Sequence, residues 1–172
     1  MAFWSAVGPE PKRNYRWVVL FKNNSTDSLQ QISYALKKVN KPKGAFKEAS
    51  HAYLNHKFYY PGRFEWEPIS MTFASVTRPD ANYLVNKVML NAGYGVPSNP
   101  IAPGSQVATP GKRKFAGALG NTIDISQLDA DGNITETWSI YNPFFTNVAF
   151  GDGLSYDNED IVEITCNIRY DW

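Results

Sequence analysis

Ile161-Val162-Glu163-Ile164-Thr165-Cys166-Asn167-Ile168-Arg169-Tyr170-Asp171-Trp172 alternates apolar and polar side chains without a miss. A strand points successive side chains to opposite sides. Val162, Ile164, Cys166, Ile168, Tyr170 and Trp172 therefore share one face, and Glu163, Thr165, Asn167, Arg169 and Asp171 share the other. One face is buried and the other meets water or a polar partner. Terminal residues ordinarily fray, so aromatic side chains at Tyr170 and Trp172 predict that Trp172 is buried against its own domain or a neighbour. Assembly is the first functional expectation.

The 172 residues suit one domain with a sizeable core, and residues 1–172 are read as a single unit. With 17 Lys plus Arg against 16 Asp plus Glu, the overall charge advertises neither nucleic acid nor a membrane surface. The 10 Phe, 10 Tyr and 5 Trp exceed what a small core needs and leave rigid apolar area for interfaces. Cys166 excludes an intramolecular disulfide, and its place on the apolar face reads as a buried, inert thiol. No stretch reaches the ~20 apolar residues of a membrane helix. Met1 to Ala6 lacks the basic start and the length of a signal peptide. The chain is thus expected to be made and folded in a cytoplasm, without a membrane anchor.

Working back from the last strand, Tyr15 to Lys22 and Gln30 to Val39 read as a hairpin across the turn-rich residues 23–28. Phe46 to Tyr60 and Phe64 to Ser75 read as a second, longer hairpin turning at Pro61-Gly62, with Pro68 at an edge or bulge. The spacing of Ala81, Leu84, Val85, Val88 and Ala92 predicts one amphipathic helix over Pro79 to Ala92, lying outside a sheet. Residues 93–114 hold four Pro and four Gly without periodicity and read as a long loop at a contact or on the outer surface. Phe115 to Leu128 and Asn133 to Tyr141 flank Asp131-Gly132 as a third hairpin, and a loop over Asn142 to Asn158 leads to the last strand. About seven strands and one helix give a mainly β fold: a two-sheet antiparallel β-sandwich or partial barrel with one flanking α-helix.

Candidate chemistry is sparse. Asp129, Asp131 and Asn133 begin like a calcium loop, but the twelfth position is Ile140 rather than a bidentate acid, and a hairpin turn explains the same residues. His51 and His56 are separated by an odd number of residues, which on one regular strand sends them to opposite faces. Gly93-Tyr94-Gly95 and Gly151-Asp152-Gly153 lack the strand-to-helix setting of a phosphate loop. No nucleophile has a recognisable base, so a non-enzymatic protein without metal or cofactor is expected.

Charge is arranged in runs. Lys37, Lys38, Lys41, Lys43 and Lys47 occur without an intervening acid, whereas Asp152, Asp157, Glu159, Asp160 and Glu163 occur without a base. Each run could be a solvated face. A basic and an acidic end on one domain would also suit head-to-tail stacking, a contact that propagates into rings or filaments. The residues Lys37, Lys38, Lys41, Lys43, Lys47, Asp152, Asp157, Glu159 and Asp160 are the candidate stacking interface. The face of Glu163, Thr165, Asn167, Arg169 and Asp171 is the candidate lumen or interface face.

Taken in order, Phe58-Tyr59-Tyr60-Pro61-Gly62-Arg63-Phe64-Glu65-Trp66-Glu67-Pro68-Ile69-Ser70-Met71-Thr72-Phe73, the helix opening Pro79-Asp80, Tyr141-Asn142-Pro143-Phe144-Phe145 with Val148 and Phe150-Gly151, and the strand from Ile161 to Trp172 resemble the tail tube proteins of T4-type contractile-tailed bacteriophages. The resemblance implies a β-sandwich of tail-tube type that forms stacked homohexameric rings around a lumen. It further implies a structural protein of the virion, assembled in the host bacterial cytoplasm, whose tube conducts the genome during ejection. The implied partners are the chain itself, the tail sheath, baseplate and tail terminator proteins, and a tape-measure protein followed by genomic DNA in the lumen. The inner tube of an extracellular contractile injection system or of a type VI secretion-like system is the alternative within this fold. A monomeric carbohydrate-binding β-sandwich, with Trp66, Tyr59 and Tyr60 as stacking platforms, is the alternative of another class. Near-neutral charge suits a conduit, since each phosphate neutralised adds to affinity for the cargo. If the lysine run lies at ring-to-ring contacts, reversing Lys41 and Lys43 to Glu should impair tube assembly in vitro; tubes unchanged at ordinary salt would defeat the idea.

Overall fold

The computed structural model describes residues 11–22, 33–78, 80–95, 109–151, 153–157 and 159–172. The strands, in chain order, are β1 (Trp17–Lys22), β2 (Leu36–Val39), β3 (Gly44–Tyr53), β4 (His56–Trp66), β5 (Ile69–Ala74), β6 (Thr122–Leu128), β7 (Ile134–Tyr141), β8 (Phe144–Ala149) and β9 (Glu163–Arg169). Two helices, α1 (Ala81–Asn91) and α2 (Lys112–Leu119), follow β5 and precede β6. The alternating strand that opened the sequence is β9. It lies inside an antiparallel sheet of order β2-β5-β9-β8, with Ile164 opposite Phe73, Cys166 opposite Met71 and Ile168 opposite Ile69. A second antiparallel sheet has the order β1-β6-β7.

The core lies between the two sheets and under α1. Ile69, Met71, Phe73, Ile164, Cys166 and Ile168 come from one sheet, and Val19, Phe21, Ile123, Ile125 and Ile140 from the other. Helix α1 adds Ala81, Leu84, Val85 and Val88, the stripe its spacing predicts. Its N-cap is Asp80, whose carboxylate accepts from the backbone N–H of Asn82 at 2.9 Å and of Tyr83 at 3.4 Å. Cys166 is fully buried, and burial pushes its thiol up to about 12, the inert state expected of a small core hydrophobe.

A strap closes one side of the sandwich. Beyond β9 the backbone crosses to the other sheet: Tyr141 N–H donates to the Trp172 carbonyl at 3.0 Å and Asp171 N–H donates to the Tyr141 carbonyl at 3.1 Å. The Asp171 carboxylate accepts from Lys112 Nζ at 2.5 Å and Asn142 Nδ2 at 2.9 Å, tying α2 and the β7–β8 corner to the same point. These two donors hold Asp171 below the usual carboxylate range. Trp172 is anchored by its backbone and leans on Tyr141, with ring centroids 6.1 Å apart, yet 62% of it is exposed. Its own domain therefore fixes Trp172 without burying it.

Several elements differ from the sequence reading. β1 and β2 lie in different sheets, so they do not form a hairpin with each other. The expected strand from Phe115 begins only at Thr122; before it stands α2, whose buried Ala116 and Leu119 are three residues apart, a helical spacing that the neighbouring lysines and arginine obscure. Among the described residues there are therefore two α-helices where one was expected. The expected loop from Asn142 contains β8, paired with β9 through Phe145–Ile168 and Val148–Cys166. Asp129-Ala130-Asp131-Gly132-Asn133 is the hairpin turn: Asp129 Oδ1 accepts from Asp131 N–H at 2.9 Å and Asn133 N–H at 2.8 Å, so the carboxylate serves the turn itself.

Helix α2 stops at Gly120, which has φ 98°, and a Cβ there would lie 2.1 Å from the Lys22 carbonyl oxygen. Both the left-handed backbone and the close approach to β1 require glycine. Gly120→Ala should destabilise the protein by more than about 1 kcal/mol, which is ~2–4 °C in Tm for a domain of this size. An unchanged thermal melt would refute this assignment.

Candidate assembly surface

The β2–β5 ladder does not stop where the sheet does. Asn40 N–H donates to the Ser70 carbonyl at 3.1 Å and Glu67 N–H donates to the Lys43 carbonyl at 2.8 Å, joining that ladder to the β3–β4 pair. One hairpin thus runs out from the sandwich and back, kinked near Pro42 and Pro68. Its turn is at Leu54-Asn55, with Leu54 at φ 50°, not at Pro61-Gly62 as the sequence reading had it. At ~3.3 Å per residue, the ten residues of β3 project about 30 Å. Every residue of β3, and every residue of β4 except Trp66, is exposed.

Pro61-Gly62 marks a bulge instead. The register steps from Glu48–Pro61 to Phe46–Phe64, so β4 carries one extra residue opposite Lys47. A Cβ at Gly62 would lie 2.6 Å from the Lys47 carbonyl oxygen, which explains glycine there. Pairing sorts the side chains into two faces. One holds Tyr60, His51, Phe58, Tyr53 and His56; the other holds Tyr59, Lys57, Phe46, Phe64 and Trp66. At the root, Phe46, Phe64 and Trp66 make successive edge-to-face contacts with centroids 4.8 Å apart, and Trp66 meets Tyr170 at 6.0 Å. Further out, Tyr53, Leu54, Phe58, Tyr59 and Tyr60 are half or more exposed. An isolated two-stranded ribbon is marginal in water, and exposed aromatic side chains stand on both of its faces. A contiguous exposed patch of this kind marks an interaction surface.

The same geometry revises two expectations. Because the turn lies between them, His51 and His56 fall on one face rather than two, as diagonal neighbours opposite Phe58 and Tyr53. Among the described residues no three of His, Cys, Asp and Glu gather as a metal site. Tyr59 and Tyr60 point to opposite faces and Trp66 packs at the root, so the three do not form one stacking platform.

The charged runs are drawn partly together within one chain. Lys37 pairs with Glu163 and also feels Asp160, and both raise its pKa. Residues Leu154, Glu159 and Asp160 lie around it in one shallow cleft. Basic and acidic runs therefore do not mark two separate ends. Lys41 reaches Glu136 at 3.1 Å and Gln127 at 2.7 Å, and Lys47 reaches Glu65 at 2.5 Å across the arm. Lys38 and Lys43 are exposed and make no ion pair with a described residue; Asp157, Glu159 and Asp160 are exposed, and Asp152 lies outside the described residues. On the polar face of β9, Glu163 holds Lys37, Thr165 sits between Thr72 and Ala149, and Asn167 sits between Ser70 and Asn147. Arg169 is exposed beside Phe144, whereas Asp171 is turned inward to Lys112 and Asn142. Arg169 thus carries the charge that this face leaves exposed at its far end.

Glu136 is a clasp that charge runs do not reveal. It stands on β7 and accepts from Lys12, Lys41 and Trp138 Nε1, joining the second sheet to the segment that leads into the arm. These donors hold its carboxyl at about 2, well below the ordinary 4.5.

No family model and no curated protein matches the chain in sequence. Solved structures do match it in fold. A chain of the cap that terminates the tube of the anti-feeding prophage is similar with a TM-score of 0.62 and 16% identity, covering 99% of this chain and 95% of that one. A chain of the anti-feeding prophage baseplate has a TM-score of 0.62 at 11% identity, covering 95% and 94%. A chain of the sheath–tube complex of an extracellular contractile injection system, PVC, has a TM-score of 0.58 at 15% identity, covering 94% and 88%. The chain has the fold found in these contractile-particle components over nearly its whole length, mainly β with antiparallel sheets as the sequence predicts.

Glu136 generates a pH prediction. A carboxylate with a depressed pKa contributes stability that is fully present above its unfolded value and is lost as pH falls through the folded one. Stability should therefore drop between about pH 4.5 and pH 2, and Glu136→Gln should be less stable than wild type at pH 6 while losing less on acidification. Parallel melts at pH 6 and pH 2.5 that shift both proteins equally would contradict this. The arm generates another: in dispersed protein the amides of residues 44–66 should exchange with solvent far faster than those of β9, and assembly should protect them.

Proposed function

We propose that this chain is a structural subunit of the tube in a contractile, phage-tail-like particle, and that it acts by self-assembly rather than by catalysis. The observation that carries the reading is the arm: an antiparallel ribbon exposing aromatic side chains on both faces, rooted in a sandwich with the fold of contractile-particle components. Such a ribbon gains a stable setting when a second copy covers it. Open sheets also expose β2, β8 and both arm strands as edges, and a closed ring of copies pairs such edges where a monomer leaves them to aggregate.

The finer assignment is to stacked hexameric rings around a lumen. A sheath, a baseplate and a terminator are the outer and end partners, and a tape-measure protein and then cargo occupy the lumen. The particle is either a virion tail, in which case the cargo is genomic DNA, or an injection apparatus. The structural neighbours come from the anti-feeding prophage and an extracellular injection system, which favours the second setting. Lys38 and Lys43, exposed and without an ion pair to a described residue, are the lysines of this run best placed for contacts between copies. Lys41 is less informative as a probe, since reversing it also breaks the Glu136 clasp.

Electron microscopy of concentrated protein tests the reading: rings or tubes are expected. Phe58→Asp with Tyr60→Asp, both on one arm face, should abolish assembly while the sandwich melts as before. A wild-type protein that stays dispersed and monomeric while binding glycan would replace this proposal with the carbohydrate-binding one.

A further inference from the structure

The arm leaves the sandwich beside a cleft. At the C-terminal end of β9, Phe64, Trp66, Phe144 and Tyr170 wall a space of about 460 Å³ with Arg169 and Lys112 beside it. Two carboxylates line it as well, but Asp171 pairs with Lys112 and Glu65 with Lys47, so Arg169 is the lining cation that makes no ion pair with a described residue. The Tyr170 hydroxyl is buried in the wall and has no hydrogen-bond partner among the described residues, a costly state that points to a missing acceptor. At the other end of β9, ~20 Å away, residues 153–157 and 159–161 present Leu154, Tyr156 and Ile161 to solvent alongside Asp157, Glu159 and Asp160. An apolar, acidic element and an aromatic cleft with Arg169 at its side thus occupy opposite ends of one strand.

Resting on the self-assembly reading, we infer that the acidic segment around Tyr156 of one copy seats in the arm-root cleft of the next. The partner is a second copy because each chain carries both halves of the match, and their placement at opposite ends makes the contact head-to-tail, the kind that propagates. The direction agrees with the arm, which leaves from the cleft end and so points toward the copy that presents its acidic segment. Tyr156 or Leu154 fills the aromatic space, Glu159 or Asp157 meets Arg169, and a polar atom of the segment gives the Tyr170 hydroxyl its acceptor. This contact differs from the lysine-run pairing suggested by sequence, because Lys37 is taken by Glu163 within the same chain.

The test is charge exchange in the full chain, read by sedimentation and electron microscopy. Arg169→Glu and Glu159→Arg should each raise the concentration needed for stacking by at least about tenfold, and the double variant should return it to within about threefold of wild type. Tyr156→Ser, at a fully exposed position, should weaken stacking without moving the thermal melt. Single variants that stack like wild type, or a double variant no better than the singles while all melt normally, would overturn the docking. Wild-type protein that never assembles would instead overturn the self-assembly reading on which it rests.

Discussion

Strand β9 is hydrogen-bonded on both sides and buries Ile164, Cys166 and Ile168 to within about a hundredth of their surface. Most of what distinguishes this molecule hangs from that strand. Through β5 it holds the ladder that continues into the arm, through β8 it holds the face on which α2 packs by Phe115 and Phe145, and through Asp171 and Trp172 it reaches the second sheet. A long hairpin with no core of its own can project from a small domain only if its base is fixed so firmly. The polar face of the same strand is flanked by short side chains, Ser70, Thr72 and Asn147, which leaves charge mainly at its two ends.

The energetics of the arm favour association without dictating its geometry. Covering half of the exposed surface of six aromatic side chains, each already about half-buried, removes roughly 330 Å² of largely apolar area, about 8 kcal/mol before costs. Lost translational and rotational freedom takes back ~4–15 kcal/mol. The balance is enough to assemble at cellular concentrations when a second contact shares the entropic cost, and too little for a lone arm to do so dependably. Multiple weak, directional contacts per copy are what a tube needs if it is to grow in order.

Alternation made β9 legible in the sequence, and the heptad-like spacing of Ala81, Leu84, Val85 and Val88 did the same for α1, because both bury one face only. The arm was legible as extended chain but not as a projection, since exposed aromatics read as core ones until burial is known. Its turn was misplaced because Pro61-Gly62 carries the residues of a turn, whereas Leu54-Asn55 turns with a leucine at positive φ. Helix α2 was hidden because its apolar residues follow three consecutive basic ones, and β8 because Pro143 stands just before it and Asn147 interrupts it. The pairing of β1 with β6 rather than β2 is a long-range choice that local pattern does not encode. Of the candidate residues, Lys37, Lys41, Lys47, Glu163 and Asp171 turned out to be held within the chain, and which charges remain outward follows only from tertiary neighbours.

The continuity between the β2–β5 ladder and the arm has a mechanical meaning. Hydrogen bonds in an antiparallel sheet lie across the strands, so a pull along the arm loads β2 and β5 along their length and strains all six β5–β9 rungs together. Force applied in that direction must shear the whole ladder at once, whereas a sideways force would open it one rung at a time. A subunit that hands load to a neighbour through this arm, as proposed, is stiff along the arm and compliant across it.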